Sequence, residues 1–357
     1  MKIAVITCYD QRDYIRAKGL RTALRTCKNV ELTVIKNKYK GLLRYLEVPL
    51  AILRLRFTVR PDAYVVTFRG YEMLLYMRLT GVRKPIIFDE LINFVEYYEE
   101  HGVLRAGTLP DRLLRRFYRW QIRGCYRILA DTSAHADFSA QTTGVPRTMY
   151  QTIPIAADER LFFPGKEHPK KPFMVFYYGN GMTPLHGLQY VLDAAVLLKD
   201  NPDIQFSLVG GKQKAADACA VAAAHGAHVT YEQWIPFEEI PVRARQAGLC
   251  LGGPFGKTLQ SQFVVTGKTT QFMACAAPVL IGKNKVSGAF KDRQNCLLVP
   301  PADAPAIAKA ITWAFAHQSE LRHIGAAGRD LYEREFSQAV VNQRVQELVV
   351  QLKANRK

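Results

Sequence analysis

Short apolar runs alternate with longer amphipathic stretches along the chain, and the two periods predict strands separated by helices. In the first half, strands are expected at Ile3–Thr7, Val30–Ile35, Ala63–Phe68, Pro85–Phe88 and Arg127–Ala130. Helices are expected from about Tyr14 to Thr26, over Leu42–Leu55 with a kink near Pro49, over Glu72–Leu79 and over Leu113–Cys125. The alternation restarts after Gly165–Pro172, a polar, proline-bearing stretch that reads as an interdomain linker. Strands then fall at Phe173–Tyr178, Ile204–Val209, His228–Tyr231, Gly248–Leu251, Pro278–Ile281 and Asn295–Val299. The helices between and after them are Leu188–Leu198, Ala215–Ala224, Phe237–Ala247, Thr269–Cys275, Ala304–Ala316 and Glu320–Glu335, with Asp303 as an N-cap.

Strands joined by helices imply parallel sheets with crossover connections. The expected fold class is therefore α/β, with two doubly wound parallel sheets in tandem. A length of 357 residues suits two domains. Ligands of such sheets bind outside the carboxyl ends of the strands, so the expected site lies in a cleft between the domains.

Charge sharpens this picture. Lys and Arg number 49 and Asp and Glu 31, a net charge of +18. Residues 1–150 hold 26 basic and 14 acidic residues, or +12; residues 151–357 hold 23 and 17, or +6. Such an excess suits nucleic acid, an anionic membrane surface or anionic small substrates. No nucleic-acid motif accompanies it, so nucleic acid is not expected as a partner. The helix at Asp111–Arg123 carries Leu114, Tyr118 and Ile122 at i, i+4, i+8 amid Arg112, Arg115, Arg116, Arg119 and Arg123, which makes an anionic bilayer a candidate partner.

No stretch reaches the length of a membrane span, and the N-terminal apolar run is too short for a signal peptide. Seven cysteines without a C-x-x-C pair read as buried thiols of a reduced cytoplasmic protein. The expected location is the cytoplasm, with the inner face of the cytoplasmic membrane as the candidate place of peripheral attachment. The histidines form no metal set; His225 and His228 lack further ligands at suitable spacing.

Two segments mimic phosphate loops. Gly256-Lys257-Thr258 and Gly267-Lys268-Thr269 both read G-K-T, but the first glycine of the pattern is replaced by Leu251 and Gln262. A dinucleotide fingerprint and a nucleophile elbow are also missing.

Three strand ends carry the candidate chemistry. Tyr178-Gly179-Asn180 leads through Pro184-Leu185-His186-Gly187 into a helix, a geometry suited to a phosphate, with His186 at the helix entrance. Gly252, Gly253 and Gly256 follow another strand and let backbone approach a ligand. Lys268 and Gln271 open a helix whose N-terminus favours an anion, and Gln271 can bond a ribose. In the first half, Asp89 and Glu90 end a strand where an acid can orient an acceptor hydroxyl, and Arg12, Asp13 and Arg69 follow strands where they can meet an anionic acceptor or the diphosphate.

At this point the chain resembles glycosyltransferase family 4. The resemblance rests on Tyr178-Gly179…Pro184-Leu185-His186-Gly187, Trp234-Ile235-Pro236, Phe255-Gly256-Lys257-Thr258, Lys268-x-x-Gln271-Phe-Met-Ala274 with Pro278-Val279, and Asn295–Asp303. Ala130-Asp131-Thr132 and Ile153-Pro154…Phe163-Pro164 agree in the first half.

The resemblance implies a GT-B fold of two Rossmann-like domains: 1–165 for the acceptor, joined by a terminal helix of about 336–357 that crosses back, and 166–335 for the nucleotide sugar. It implies a retaining sugar transfer from a nucleotide-diphosphate-sugar, the co-substrate, to a hydroxyl on a glycan or lipid-linked acceptor. No metal or other cofactor is implied. Basic side chains and helix dipoles would neutralise the leaving diphosphate. Donor contacts would come from Gly179, Asn180, Gly187, Gly210, Gly211, Trp234, Ile235, Phe255, Gly256, Lys257, Thr258 and Gln271, with Asp89, His186 and Lys268 as catalytic candidates.

The chain departs from the family pattern where Asn180 replaces an Arg, His186 a Lys, and Gln271 the second acid of Glu-x7-Glu, with Phe263 at the first. It resembles a sub-branch with PLHG, FG-x-T and this Gln. Alternatives remain: an epimerase or phosphorylase of the same fold, or a non-catalytic basic protein that binds membrane or nucleic acid.

Overall fold

The computed structural model describes the chain apart from residues 12–13, 101, 167–170, 180–182 and 355–357 and the side chains of Phe94 and Glu100. Residue contacts divide it into two units, Met1–Ile155 with Gln338–Lys357, and Ala156–Ser337. The stretch 156–165, expected with the first domain, packs with the second, because Ala157 and Phe162 enter a core with Phe176, Ile235 and Phe272.

The first unit holds β1 (Lys2–Thr7), β2 (Glu31–Lys36), β3 (Ala63–Val66), β4 (Ile86–Asp89), β5 (Arg127–Ala130) and β6 (Tyr150–Thr152). They form one parallel sheet in the order β2-β1-β3-β4-β5-β6. Most strands are buried on both faces, which is why they read as short unbroken apolar runs. Ala4, Ile6, Tyr64, Val66, Phe88 and Ile128 point to one face. There they meet Val48 and Ile52 of the helix Arg44–Thr58, Leu74 and Met77 of Tyr71–Leu79, Tyr118 and Ile122 of Leu109–Arg123, and Ala136 of Ser133–Thr143. Right-handed crossovers put the helix between β1 and β2, Ile15–Thr26, on the opposite face. The terminal helix Gln338–Ala354 packs against it, with Gln338 donating to the Gly19 carbonyl at 3.1 Å and Lys353 to that of Lys28 at 3.0 Å.

Three elements were not expected: the helices Phe94–Glu100 and Ser133–Thr143, and β6. The basic helix also differs in its bounds from the expected Leu113–Cys125. It spans Leu109–Arg123, and its stripe of Leu114, Tyr118 and Ile122 packs into the core, so that stripe is not free to meet a bilayer.

The second unit holds β7 (Phe173–Tyr178), β8 (Ile204–Val209), β9 (Val229–Glu232), β10 (Leu249–Leu251), β11 (Val279–Gly282) and β12 (Leu297–Val299). All pair in parallel in the order β12-β11-β10-β7-β8-β9. The order reverses between β10 and β7. This is the topological switch point, and the crevice beyond its carboxyl ends is where such sheets bind ligands. The Asp303 carboxylate caps the helix Ala304–Ala316 by accepting from the Ala306 amide at 2.8 Å. All seven cysteines are buried and free. Among the described residues no helix is long and apolar enough to cross a membrane, and no cluster of ligands could hold a metal ion.

Candidate functional site

The switch point gathers residues from three sequence segments. After β7, the short 3-10 turn Pro184–His186 ends at Gly187, whose φ is +64°. A β-carbon at Gly187 would lie 2.5 Å from both the Gly256 amide nitrogen and the Phe255 carbonyl carbon. One at Gly256 would collide with the Pro184 carbonyl oxygen. The two loops therefore touch backbone to backbone, and the Gly256 amide donates to the Leu185 carbonyl at 3.0 Å. Gly210 has a φ of +95°, and its missing side chain gives room to the Gly179 carbonyl.

The third segment is the helix Gly267–Ala274. Thr266 caps it by accepting from the Thr269 amide, and its own hydroxyl donates to the Gly252 carbonyl at 2.6 Å. That bond pins the helix start to the end of β10. Lys268, in the first turn, is buried at 5% exposure. Its Nζ lies 3.1 Å from His186 Nδ1 and 4.4 Å from the centre of the Tyr177 ring. The Tyr177 hydroxyl donates to the His186 carbonyl at 2.9 Å, which fixes the turn that carries the imidazole.

The electrostatics of this pair are unusual. Burial lowers the Lys268 ammonium to about 7. The helix N-terminus disfavours a cation in the same sense. The neighbouring Lys268 charge, then burial, lowers His186 to about 2, so its ring is neutral at any ordinary pH. An ammonium only donates, so with Lys268 protonated the ring accepts at Nδ1 and carries its own proton on Nε2. Among the described residues no carboxylate pairs with Lys268. The arrangement is thus a buried basic group and a neutral N–H donor at an anion-favouring helix start, without a counter-ion.

The other donor candidates divide into two groups. Gln271 is buried one turn beyond Lys268, and its Oε1 accepts from the Tyr178 hydroxyl, which orients the amide. Trp234 is 75% exposed, whereas Ile235 beside it is in the core. Phe255 packs its ring beside Tyr177 and spends its carbonyl on the Ala302 amide. Lys257 is exposed, and Thr258 accepts from the Ser261 amide at 3.1 Å. Gly211, with a φ of +92°, precedes the helix Lys212–Ala224. Asn180 lies outside the described residues, as do Arg12 and Asp13.

In the first unit, Asp89 and Glu90 have no exposed surface. Asp89 accepts from Arg16 Nε at 2.9 Å, and the same guanidinium donates to the carbonyls of Ile153 and Pro154. Glu90 accepts from the Tyr118 hydroxyl. Burial pushes both carboxyls up. Asp89 Oδ1 and Glu90 Oε2 are thus spent on internal partners, while Asp89 Oδ2 and Glu90 Oε1 are buried without a hydrogen-bond partner among the described residues. Arg69 is half-buried, has a φ of +56°, and rests between the rings of Tyr9 and Tyr97 at 5.6 and 5.7 Å.

Sequence reasoning gave no role to the side chains of Arg16, Thr266, Tyr177 and Tyr178. The Thr266 cap was legible as a Thr just before an apolar helix. Arg16 carried no signal, because its partners are far along the chain.

This fold, with a basic and glycine-rich site at the switch point of its second sheet, defines a class, the GT-B glycosyltransferase architecture. Residues 172–317 match the family model described as glycosyl transferases group 1. No curated protein sequence matches the chain. Among solved structures, sucrose-phosphate synthase from Thermosynechococcus elongatus is similar, with 16% identity, 99% of this chain and 100% of that chain covered, and a TM-score of 0.76. Anabaena HepE, solved in complex with UDP-glucose, is similar at 14% identity, with 98% and 100% covered and a TM-score of 0.71. A glycosyltransferase from Rickettsia africae is similar at 11% identity, with 99% of each chain covered and a TM-score of 0.69.

Proposed function

We propose that the protein transfers a sugar from a nucleotide-diphosphate-sugar to a hydroxyl acceptor, with retention of configuration and without a metal ion. One observation carries the proposal. Lys268 is a buried amine at a helix N-terminus, charged only below about pH 7, touching a neutral histidine and facing no acid among the described residues. Leaving such a charge uncompensated is costly, and a diphosphate supplies the missing counter-ion.

The donor diphosphate then lies against Lys268, His186 Nε2–H and the amides that follow Thr266. The Gln271 amide holds a ribose hydroxyl, and Trp234 stacks on the base. The loop Phe255–Thr258 contacts sugar hydroxyls. The acceptor oxygen forms a bond to C1 on the face from which the diphosphate departs. The C1–O bond breaks toward the diphosphate, and a phosphate oxygen takes the acceptor proton. Lys268 and His186 stabilise the charge that develops on the leaving group, which takes the place of a divalent cation.

Arg69 is the proposed acceptor contact of the first unit, and the acceptor is a glycan or a lipid-linked glycan. Asp89 takes no catalytic role in this scheme. UDP-glucose is the first donor to test, since HepE was solved with it. A thermal-shift panel of UDP-, GDP-, TDP- and ADP-sugars in EDTA tests the proposal. A shift by one of these donors supports it, and silence across the panel overturns it.

A further inference from the structure

The helix Arg44–Thr58 is apolar on two opposite faces. Val48, Ile52 and Leu55 pack into the core of the first unit. On the other side, Leu43, Leu46, Leu50, Leu53 and Phe57 are spaced 3, 4, 3 and 4 residues apart, and all are exposed. Leu42, in the turn before the helix, is 83% exposed and Phe57 71%. A helix face that is apolar along its length is normally covered. Single exposed leucines need no explanation, but a continuous stripe does.

The same helix layer carries a second stripe. Leu109, Leu113, Phe117 and Trp120 are exposed along the outer side of Leu109–Arg123, with Phe117 and Trp120 stacked at 5.9 Å. Beside it on the same helix run Arg112, Arg116, Arg119 and Arg123, all exposed and none ion-paired among the described residues. The acids nearby are already taken, since Arg115 binds Glu96, Glu99 and Asp111. Arg78, Arg116, Arg119 and Arg123 line a cavity of about 460 Å³ beside Trp120, and the Arg78 guanidinium lies 4.6 Å from the Trp120 ring centre. The helix Tyr71–Leu79 joins the two stripes. Arg56 donates to the Thr80 carbonyl at 2.7 Å on one side of it, and Arg78 reaches Trp120 on the other.

We propose that this outer helix layer docks on an anionic lipid bilayer. The two apolar stripes enter the interface between headgroups and acyl chains, and the arginine cavity receives a lipid phosphate. The occupant follows from the chemistry: apolar side chains side by side with unpaired cations match a surface that is apolar below and anionic above. The protein lies on the membrane, since no described helix can span it. The inference stands independently of the donor chemistry.

Co-sedimentation of the full chain with vesicles tests it, comparing phosphatidylcholine alone with a phosphatidylcholine–phosphatidylglycerol mixture. Binding to the mixed vesicles only is expected, with a blue shift of emission that is lost in Trp120→Phe. Salt near 1 M, where screening acts within about 3 Å, weakens binding. The pairs Leu50→Glu with Phe57→Glu, and Arg116→Glu with Arg119→Glu, each reduce vesicle binding by about tenfold or more. Leu50→Gln with Phe57→Gln is the milder version, and an unchanged melting curve confirms the fold. Sedimentation with neither vesicle overturns the proposal, as does binding that ignores all three pairs. A dimer in solution that the leucine and phenylalanine substitutions dissolve also overturns it, and assigns the face to a second copy.

Discussion

Lys268 Nζ sits 3.1 Å from His186 Nδ1, with the Tyr177 ring beneath the ammonium. The contact joins the turn after β7 to the first turn of the helix after β10, on either side of the point where the strand order reverses. Neither residue is ordinary. Burial holds the lysine near 7, and the lysine holds the histidine neutral. The pair is poised to change protonation when an anion arrives.

Donor binding is therefore coupled to proton uptake. The free lysine titrates near 7, and a bound diphosphate raises it by favouring the ammonium. At pH 8 the free site is mostly neutral, so binding takes up close to one proton; at pH 6 it is already charged and binding takes up few. Affinity falls as pH rises above 7. Calorimetry in buffers of different ionisation enthalpy measures the uptake, and no difference between pH 6 and pH 8 would remove Lys268 as the titrating group.

Gly187 is a place where only glycine fits. Its φ is +64°, and a β-carbon would press on the backbone of Phe255 and Gly256. Gly187→Ala is expected to cost about 2–4 kcal/mol of stability, combining backbone strain with a backbone clash. It also parts the two loops and weakens donor binding. Urea unfolding checks the first effect and a nucleotide titration the second.

Trp234 is expected to matter for binding and not for folding, because 75% of its surface is exposed. Trp234→Ala leaves the melting temperature within a degree or so. It weakens nucleotide binding by roughly threefold to tenfold, the worth of one stacked aromatic. Quenching of tryptophan emission by the nucleotide, lost in the variant, reports the same contact. An unchanged dissociation constant would place the base elsewhere.

Arg16 is the buried partner of Asp89 and holds the carbonyls of Ile153 and Pro154, at the end of the first unit. Arg16→Met leaves a buried carboxyl without its cation, at a cost of about 3–5 kcal/mol. The variant with Asp89→Asn added recovers part of that loss. Chemical denaturation of both proteins measures the difference, and equal loss in the two would show that the ion pair is not the cause.

Much of this architecture was legible because buried parallel strands and their crossover helices leave distinct periods in the sequence. Phe173–Tyr178, Ile204–Val209 and Ala304–Ala316 fall on their predicted bounds. The helix Ser133–Thr143 was missed because its face is built from Ala, Ser and Thr with little apolar contrast, although its Thr132 cap and Gly144 stop were readable. β6 is only three residues long. Lys268 and His186 were each named from their strand ends, but their contact spans 82 positions and no local pattern records it. The burial of Asp89 was hidden for the same reason, since Arg16 lies 73 positions away. In Leu109–Arg123 both stripes are apolar at helical spacing, and only packing decides which one turns inward.

The most direct test is a titration of wild-type and Lys268→Ala protein with UDP-glucose, or with whichever nucleotide sugar gives the largest thermal shift, in EDTA. The account predicts saturable binding without metal by the wild type. It predicts affinity lower by about tenfold or more in the variant, with circular dichroism unchanged. Equal affinity in the two proteins would contradict it.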